Sequence, residues 1–188
     1  MRLFVAVPLP SELVAGIVRV QERLRRARAD VKWVEADNLH LTLKFLGEVP
    51  EGSVESVRRA LAGASGIAPF RVVLRGVGAF PGPGSPRVVW VGLTEGASQF
   101  VRLAGDVDRA LASAGFAPEM RPASPHLTIG RVRGPLNREA LRPAMEEVGP
   151  ADLGAFECGE TRLYHSVLTA GGPVYMVLAS FPLRHRST

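Results

Sequence analysis

The chain is short of cysteine, of lysine and of long apolar runs, and each shortage removes a class of explanation. Cys158 is the only cysteine in 188 residues, so neither a disulfide framework nor a cysteine-based zinc site can be built. That suits a reducing compartment, and the expectation is a cytoplasmic protein. No stretch approaches the roughly 18 apolar residues of a membrane-spanning helix. The opening Met1–Val7 is apolar in the manner of a leader peptide, but Pro8, Pro10 and Glu12 interrupt it too early. Of 23 basic residues only Lys32 and Lys44 are lysines, and the net charge is +5. Such a balance favours a polyanionic or phosphate-bearing partner, although ordinary solvated surface accounts for a similar excess.

What remains is the composition of a globular protein, 46% hydrophobic and 22% charged, with 20 glycines and 15 prolines scattered as turns. Leu3 to Val7 reads as a strand, followed by a helix that Ser11 caps, with Leu13, Val14, Ile17, Val18, Gln21 and Leu24 at helical spacing. Val31 to Val34 is a short apolar segment. A strand carrying His40, a helix over 51–64 and a strand from Phe70 to Phe80 follow. The second half repeats that order. Val88 to Leu93 is β-rich, 97–114 is helical, a strand carries His126, and Asn137 caps a helix ending near Val148. Phe156 to Tyr164 and Val174 to Phe181 close the chain as strands.

The offsets between matching features agree. Leu3 to Val88 is 85 residues, while His40 to His126, Phe70 to Phe156 and Val88 to Val174 are each 86. Four matches in one order indicate a duplicated unit. The predicted fold class is α+β: a single domain over 1–188 of two similar, intertwined lobes about a pseudo-twofold axis. Each lobe is an antiparallel sheet with outer helices, and the cleft between lobes is the expected site.

The duplication carries a motif, His40-Leu41-Thr42 and His126-Leu127-Thr128. Residues i and i+2 of a strand share a face, so each copy presents an imidazole beside a hydroxyl. In the first strand Leu39, Leu41, Leu43 and Phe45 form one face, and Asn38, His40, Thr42 and Lys44 the other. By that alternation Phe45 belongs to the core. In the second strand Leu127 and Ile129 face the core, with His126, Thr128 and Gly130 on the open side. Gly130 leaves room there for a ligand, and Arg131, like Phe45, reaches the cleft only through twist, a bulge or the strand end. A lone strand histidine is more often structural, but two in matched contexts point to a pair. Two imidazoles on opposite sides of phosphorus suit in-line opening of a cyclic phosphodiester, one as base and one as acid. Two threonine hydroxyls would hold the non-bridging oxygens. The scheme needs no metal and no cofactor, and neither motif has a nearby His, Asp or Glu to complete a metal site. His165 and His185 lack a partner motif and are read as non-catalytic.

These residues resemble those of the two-histidine phosphoesterases. The segments 2–10, Trp33-Val34-Glu35, Asn38 through Gly47, 86–92, 125–131 and 172–175 are similar to the bacterial and archaeal RNA 2′,3′-cyclic phosphodiesterases, also called 2′-5′ RNA ligases. The resemblance covers essentially the whole chain. It implies a bilobal fold and a reaction in which water opens a terminal 2′,3′-cyclic phosphate on RNA to leave a 2′-phosphate. It implies His40 as general acid, His126 as general base, and Thr42 and Thr128 as phosphate ligands, with Arg131 assisting and Phe45 lining the nucleoside site. The chain departs from the family at 121–125, where relatives often carry an aromatic and a basic residue. The alternatives are 2′-5′ ligation as the main role, since both directions share residues, or an RNA-end binding module without turnover. The expected partner is RNA with a cyclic end or a cyclic nucleotide, met by a monomer away from membranes.

Overall fold

Alternating burial along the first strand sets the architecture. In β1 (Arg2–Pro8), Leu3, Val5 and Val7 enter the main core, while Phe4 and Ala6 join Tyr164 in a second, smaller cluster on the opposite face. Each fully buried aliphatic side chain contributes about 1.5–3 kcal/mol of transfer free energy. The computed structural model describes residues 1–64, 66–121 and 123–184. After β1 come α1 (Ser11–Arg25), β2 (Val31–Trp33), β3 (His40–Glu48), α2 (Val54–Ala62) and β4 (Phe70–Phe80). The second half supplies β5 (Val88–Glu95), α3 (Ala97–Ser113), β6 (His126–Val132), α4 (Leu141–Val148), β7 (Asp152–Cys158), β8 (Glu160–Thr169) and β9 (Gly172–Pro182).

Two antiparallel sheets result, ordered β3-β1-β8-β9 and β2-β6-β5-β4-β7. The fold class is thus α+β with a duplicated unit, and three strands of each sheet correspond in order. β3 matches β6, β1 matches β5, and β8 matches β4. The halves exchange parts, because β8 of the second half completes the first sheet and β4 of the first half completes the second. The helices cross over in the same way. α1 packs on β6 and β7 beside α4, whereas α3 packs on β3 beside α2. No helix among the described residues is long and apolar enough to cross a membrane.

Local expectations needed three adjustments. Ser11 is the first helical residue of α1, and Pro10, in extended conformation, holds the cap position without a side-chain bond. Proline fits there because it has no N–H to satisfy. Asn137 sits in the left-handed region (φ 49°) ahead of a short 3₁₀ turn that leads into α4, and it caps no helix with its side chain. Its amide donates instead to the Arg28 carbonyl at 3.1 Å. The run from Phe156 to Tyr164 is two strands, because the chain leaves the second sheet at Cys158 and enters the first at Glu160. Cys158 itself is buried, and burial pushes its thiol up to about 12, so it stays protonated and inert.

Candidate active site

The two His-Leu-Thr strands are β3 and β6, one in each sheet, and they lie against one another where the sheets meet. His40, Thr42, His126 and Thr128 all line one cleft of about 1090 Å³. Leu41 and Leu127, between each imidazole and its hydroxyl, are fully buried, which anchors the alternation that points the polar pairs into the cleft.

Each imidazole is held by the same local device. His40 Nδ1–H donates to the Asn38 carbonyl at 2.7 Å, and His126 Nδ1–H donates to the Ser124 carbonyl at 2.6 Å. A carbonyl only accepts, so both bonds place the ring proton on Nδ1 and leave Nε2 with its lone pair in the neutral ring. Asn38 is anchored in turn, since its amide donates to the Pro173 carbonyl at 2.8 Å. The surroundings differ, however. His40 rests among Phe4 (ring centroids 4.8 Å apart) and Tyr175 (5.4 Å), while His126 meets the edge of Phe80 at 5.0 Å. Burial pushes the His40 imidazole from 6.5 down to about 4, against the pull of the Asn38 carbonyl and with the help of the Arg131 charge. His40 is therefore neutral at pH 7. Burial raises the Tyr175 phenol despite Arg131 and Arg2 nearby, so it remains a hydrogen-bond donor.

A bulge in each strand corrects the simple alternation. Val5 pairs with Lys44 and Ala6 with Thr42, which leaves Leu43 as an extra residue in β3. Val89 pairs with Gly130 and Trp90 with Thr128, which leaves Ile129 extra in β6. Leu43 and Ile129 are 86 residues apart, so the bulge belongs to the duplicated unit. Past each bulge the faces switch. Phe45, read as core from its parity, is 60% exposed and lines the cleft. Arg131, its counterpart in the second half, lines the cleft as well.

The same switch moves two residues away from the open face. Lys44 is buried, with Nζ 2.5 Å from Asp108 Oδ1 and donating to the Ala117 carbonyl at 2.8 Å. Gly130 offers a ligand no space, because a Cβ there would lie 2.8 Å from Val31 Cγ1 and 2.9 Å from Trp33 Cε3. The glycine exists to let β2 approach. The second bulge is pinned by α1, where Gln21 Nε2 donates to the carbonyls of Ile129 (2.9 Å) and Val34 (2.8 Å). His165 lies on β8 outside the cleft, and His185 lies outside the described residues.

Comparison with known proteins agrees with the duplicated fold. A family model described as "LigT like Phosphoesterase" matches the chain twice, over residues 7–90 and 91–175, one match to each half. The chain belongs to the LigT-like phosphoesterases. Among curated LigT-like relatives, the RNA 2′,3′-cyclic phosphodiesterase of Methanothermobacter thermautotrophicus is 40% identical over 97% of this chain and 98% of that protein. Its namesake from Aeropyrum pernix is 39% identical over 88% and 94%. Of solved structures, a protein of Thermus thermophilus superposes with a TM-score of 0.80 at 36% identity, covering 100% of both chains. E. coli LigT complexed with 3′-AMP gives 0.76 at 29% identity and 97% of both.

In this LigT-like chain, reading the sequence missed the aromatic wall behind His40. Phe4 and Trp90 occupy matched positions 86 residues apart, and that equivalence was the available signal. Tyr164 and Tyr175 arrive from β8 and β9, more than a hundred residues from His40, and no local pattern reports them.

Proposed function

We propose that the protein is a phosphodiesterase that opens the 2′,3′-cyclic phosphate at an RNA end with water and leaves a 2′-phosphate. One observation carries the proposal: two imidazoles, each with Nδ1 committed to a backbone carbonyl and Nε2 free, share a single cleft with two threonine hydroxyls. The LigT-like relatives named RNA 2′,3′-cyclic phosphodiesterase supply the substrate.

In the reaction, His126 Nε2 takes a proton from water as its oxygen attacks phosphorus. The P–O3′ bond breaks, and His40 Nε2–H delivers a proton to the departing 3′-oxygen. His126 gains one proton and His40 loses one, so the step balances, and exchange with solvent returns both imidazoles to their starting states. Thr42 and Thr128 donate to the non-bridging oxygens, where negative charge builds, and Arg131 adds a cation beside them. Phe45 provides an apolar face for the nucleoside. Burial holds His40 neutral near pH 7, so it takes its proton from solvent as the substrate binds. A phosphodiester anion neutralises Arg131 and offers the imidazolium a counter-ion, and both effects favour protonation. The whole chain acts as one catalytic domain and as a monomer, since each half contributes one histidine to the one site.

The test is turnover of an oligoribonucleotide with a 2′,3′-cyclic end by the wild type, His40→Ala, His126→Ala and the double variant. Each single change should cost about 10²–10⁴-fold in kcat. The double variant should fall well short of the product of the two losses, because the histidines act as a unit. Activity that survives either single change within tenfold would sink the proposal.

A further inference from the structure

The cleft is lined by more than the groups that face the reacting phosphate. Pockets of about 300–1,000 Å³ enclose drug-sized ligands, a class that includes a nucleoside cyclic phosphate. At about 1090 Å³ this cleft stands at the upper end of that range, and its most exposed lining residues mark an outer rim. Met120 on the segment before β6 is 93% exposed, and Leu168 near the end of β8 is 80% exposed. Both line the cleft together with Arg2 and Arg121. Neither arginine has an acidic partner among the described residues. Apolar side chains left in water beside unneutralised guanidinium groups match the chemistry of single-stranded nucleic acid, which offers base faces and phosphates in alternation.

The outer rim is also built rather than loose. The segment carrying Met120 and Arg121 is fastened just ahead of them. Lys44 donates to the Ala117 carbonyl, and the Glu119 N–H donates to Asp108 Oδ1 at 3.1 Å. Lys44 and Asp108 are themselves paired at 2.5 Å. Lys44 stands two residues past Thr42, so one buried ion pair joins the phosphate-facing strand to the rim.

We propose that Met120 and Arg121, on the segment held by the Lys44–Asp108 pair, form with Leu168 of β8 an outer subsite for the nucleotide that precedes the cyclic end. It deepens the phosphodiesterase reading and rests on it: the preferred substrate is an oligoribonucleotide rather than a cyclic mononucleotide. Arg121 meets the phosphate that links the last two nucleotides, and Met120 and Leu168 cover the penultimate base.

The experiment compares a dinucleotide ending in a 2′,3′-cyclic phosphate with the corresponding 2′,3′-cyclic mononucleotide, in the wild type, Arg121→Ala and Leu168→Ser. The wild type should favour the dinucleotide in kcat/KM. Each variant should lose about tenfold on the dinucleotide while keeping its rate on the mononucleotide, and Arg121→Ala should reduce the salt dependence of dinucleotide binding by about one counter-ion. Equal use of both substrates by the wild type, or equal losses on both in the variants, would overturn the subsite. The same contrast in binding, between a 2′-phosphorylated dinucleotide and 2′-AMP, separates this proposal from the catalytic one. A dinucleotide advantage in affinity that the variants abolish supports the subsite even if turnover fails, and its absence refutes it.

Discussion

Lowering the pH from 7 to 4 tests the environment of His40 apart from any catalysis. The folded chain holds this imidazole at about 4, against an ordinary 6.5 in the unfolded chain. Between those values the unfolded state binds a proton that the folded state refuses, so stability falls as the pH is lowered through that window. Above pH 6.5 the contribution of His40 is constant, and below about 4 it changes no further. At about 1.4 kcal/mol per pH unit, the window corresponds to roughly 3 kcal/mol, a ceiling because the cleft wets one side of the ring. The control is His40→Asn, whose amide keeps a donor near the Nδ1 position toward the Asn38 carbonyl and does not titrate. Urea unfolding of both proteins at several pH values between 7 and 4 isolates the effect. The wild type should lose up to roughly 3 kcal/mol more than the variant across that range. Parallel losses would show that neither the aromatic wall nor Arg131 holds His40 neutral, and the account of its protonation as substrate binds would fail with them.

Three further outcomes follow from the packing around the site. Asp108→Ala should destabilise by about 3 kcal/mol, since it leaves the buried ammonium with only the Ala117 carbonyl and the more distant Glu119 carboxylate. Lys44→Met should cost less, about 1–3 kcal/mol, because the Asp108 side chain is 20% exposed against 3% for Lys44 and keeps the Glu119 N–H. Denaturation of both and of the double variant checks this, and a double variant worse than Asp108→Ala alone would contradict the pairing. Gln21→Leu removes the donor to two buried carbonyls, should cost about 1–3 kcal/mol, and should weaken phosphate binding by loosening the bulge that aims Arg131. An unchanged affinity for inorganic phosphate would separate Gln21 from Arg131. Gly130→Ala should destabilise by about 1–3 kcal/mol through overpacking against Trp33, and a neutral thermal melt would show that β2 yields easily.

Much of this was legible in the chain itself, for definite reasons. Strand alternation and the 86-residue offset placed His40, Thr42, His126 and Thr128 on matching strands, because both signals are carried by residues close in sequence or repeated in it. The bulges were not legible. Whether Leu43 or Ile129 is an extra residue depends on which partner it faces across the ladder, and that partner lies on another strand. Phe45, Lys44 and Gly130 were misplaced for that one reason, each standing just beyond a bulge. Intertwined lobes were expected, but that β4 and β8 are the exchanged strands was hidden, since a duplicated sequence does not state which copy its strands will join. The environment of His40 was hidden further still, because Tyr164 and Tyr175 come from distant strands of the other half.

The central claim is that water enters at phosphorus opposite the 3′-oxygen, with one histidine on each side. Its most direct test is the product formed in ¹⁸O-labelled water, with EDTA present, from an oligoribonucleotide bearing a 2′,3′-cyclic end. Phosphorus NMR distinguishes the isomers and shows the isotope shift. The account predicts a single 2′-phosphate carrying one labelled oxygen, formed by the wild type and by neither His40→Ala nor His126→Ala. A 3′-phosphate, a mixture of isomers, or label incorporation that persists without either histidine would contradict it.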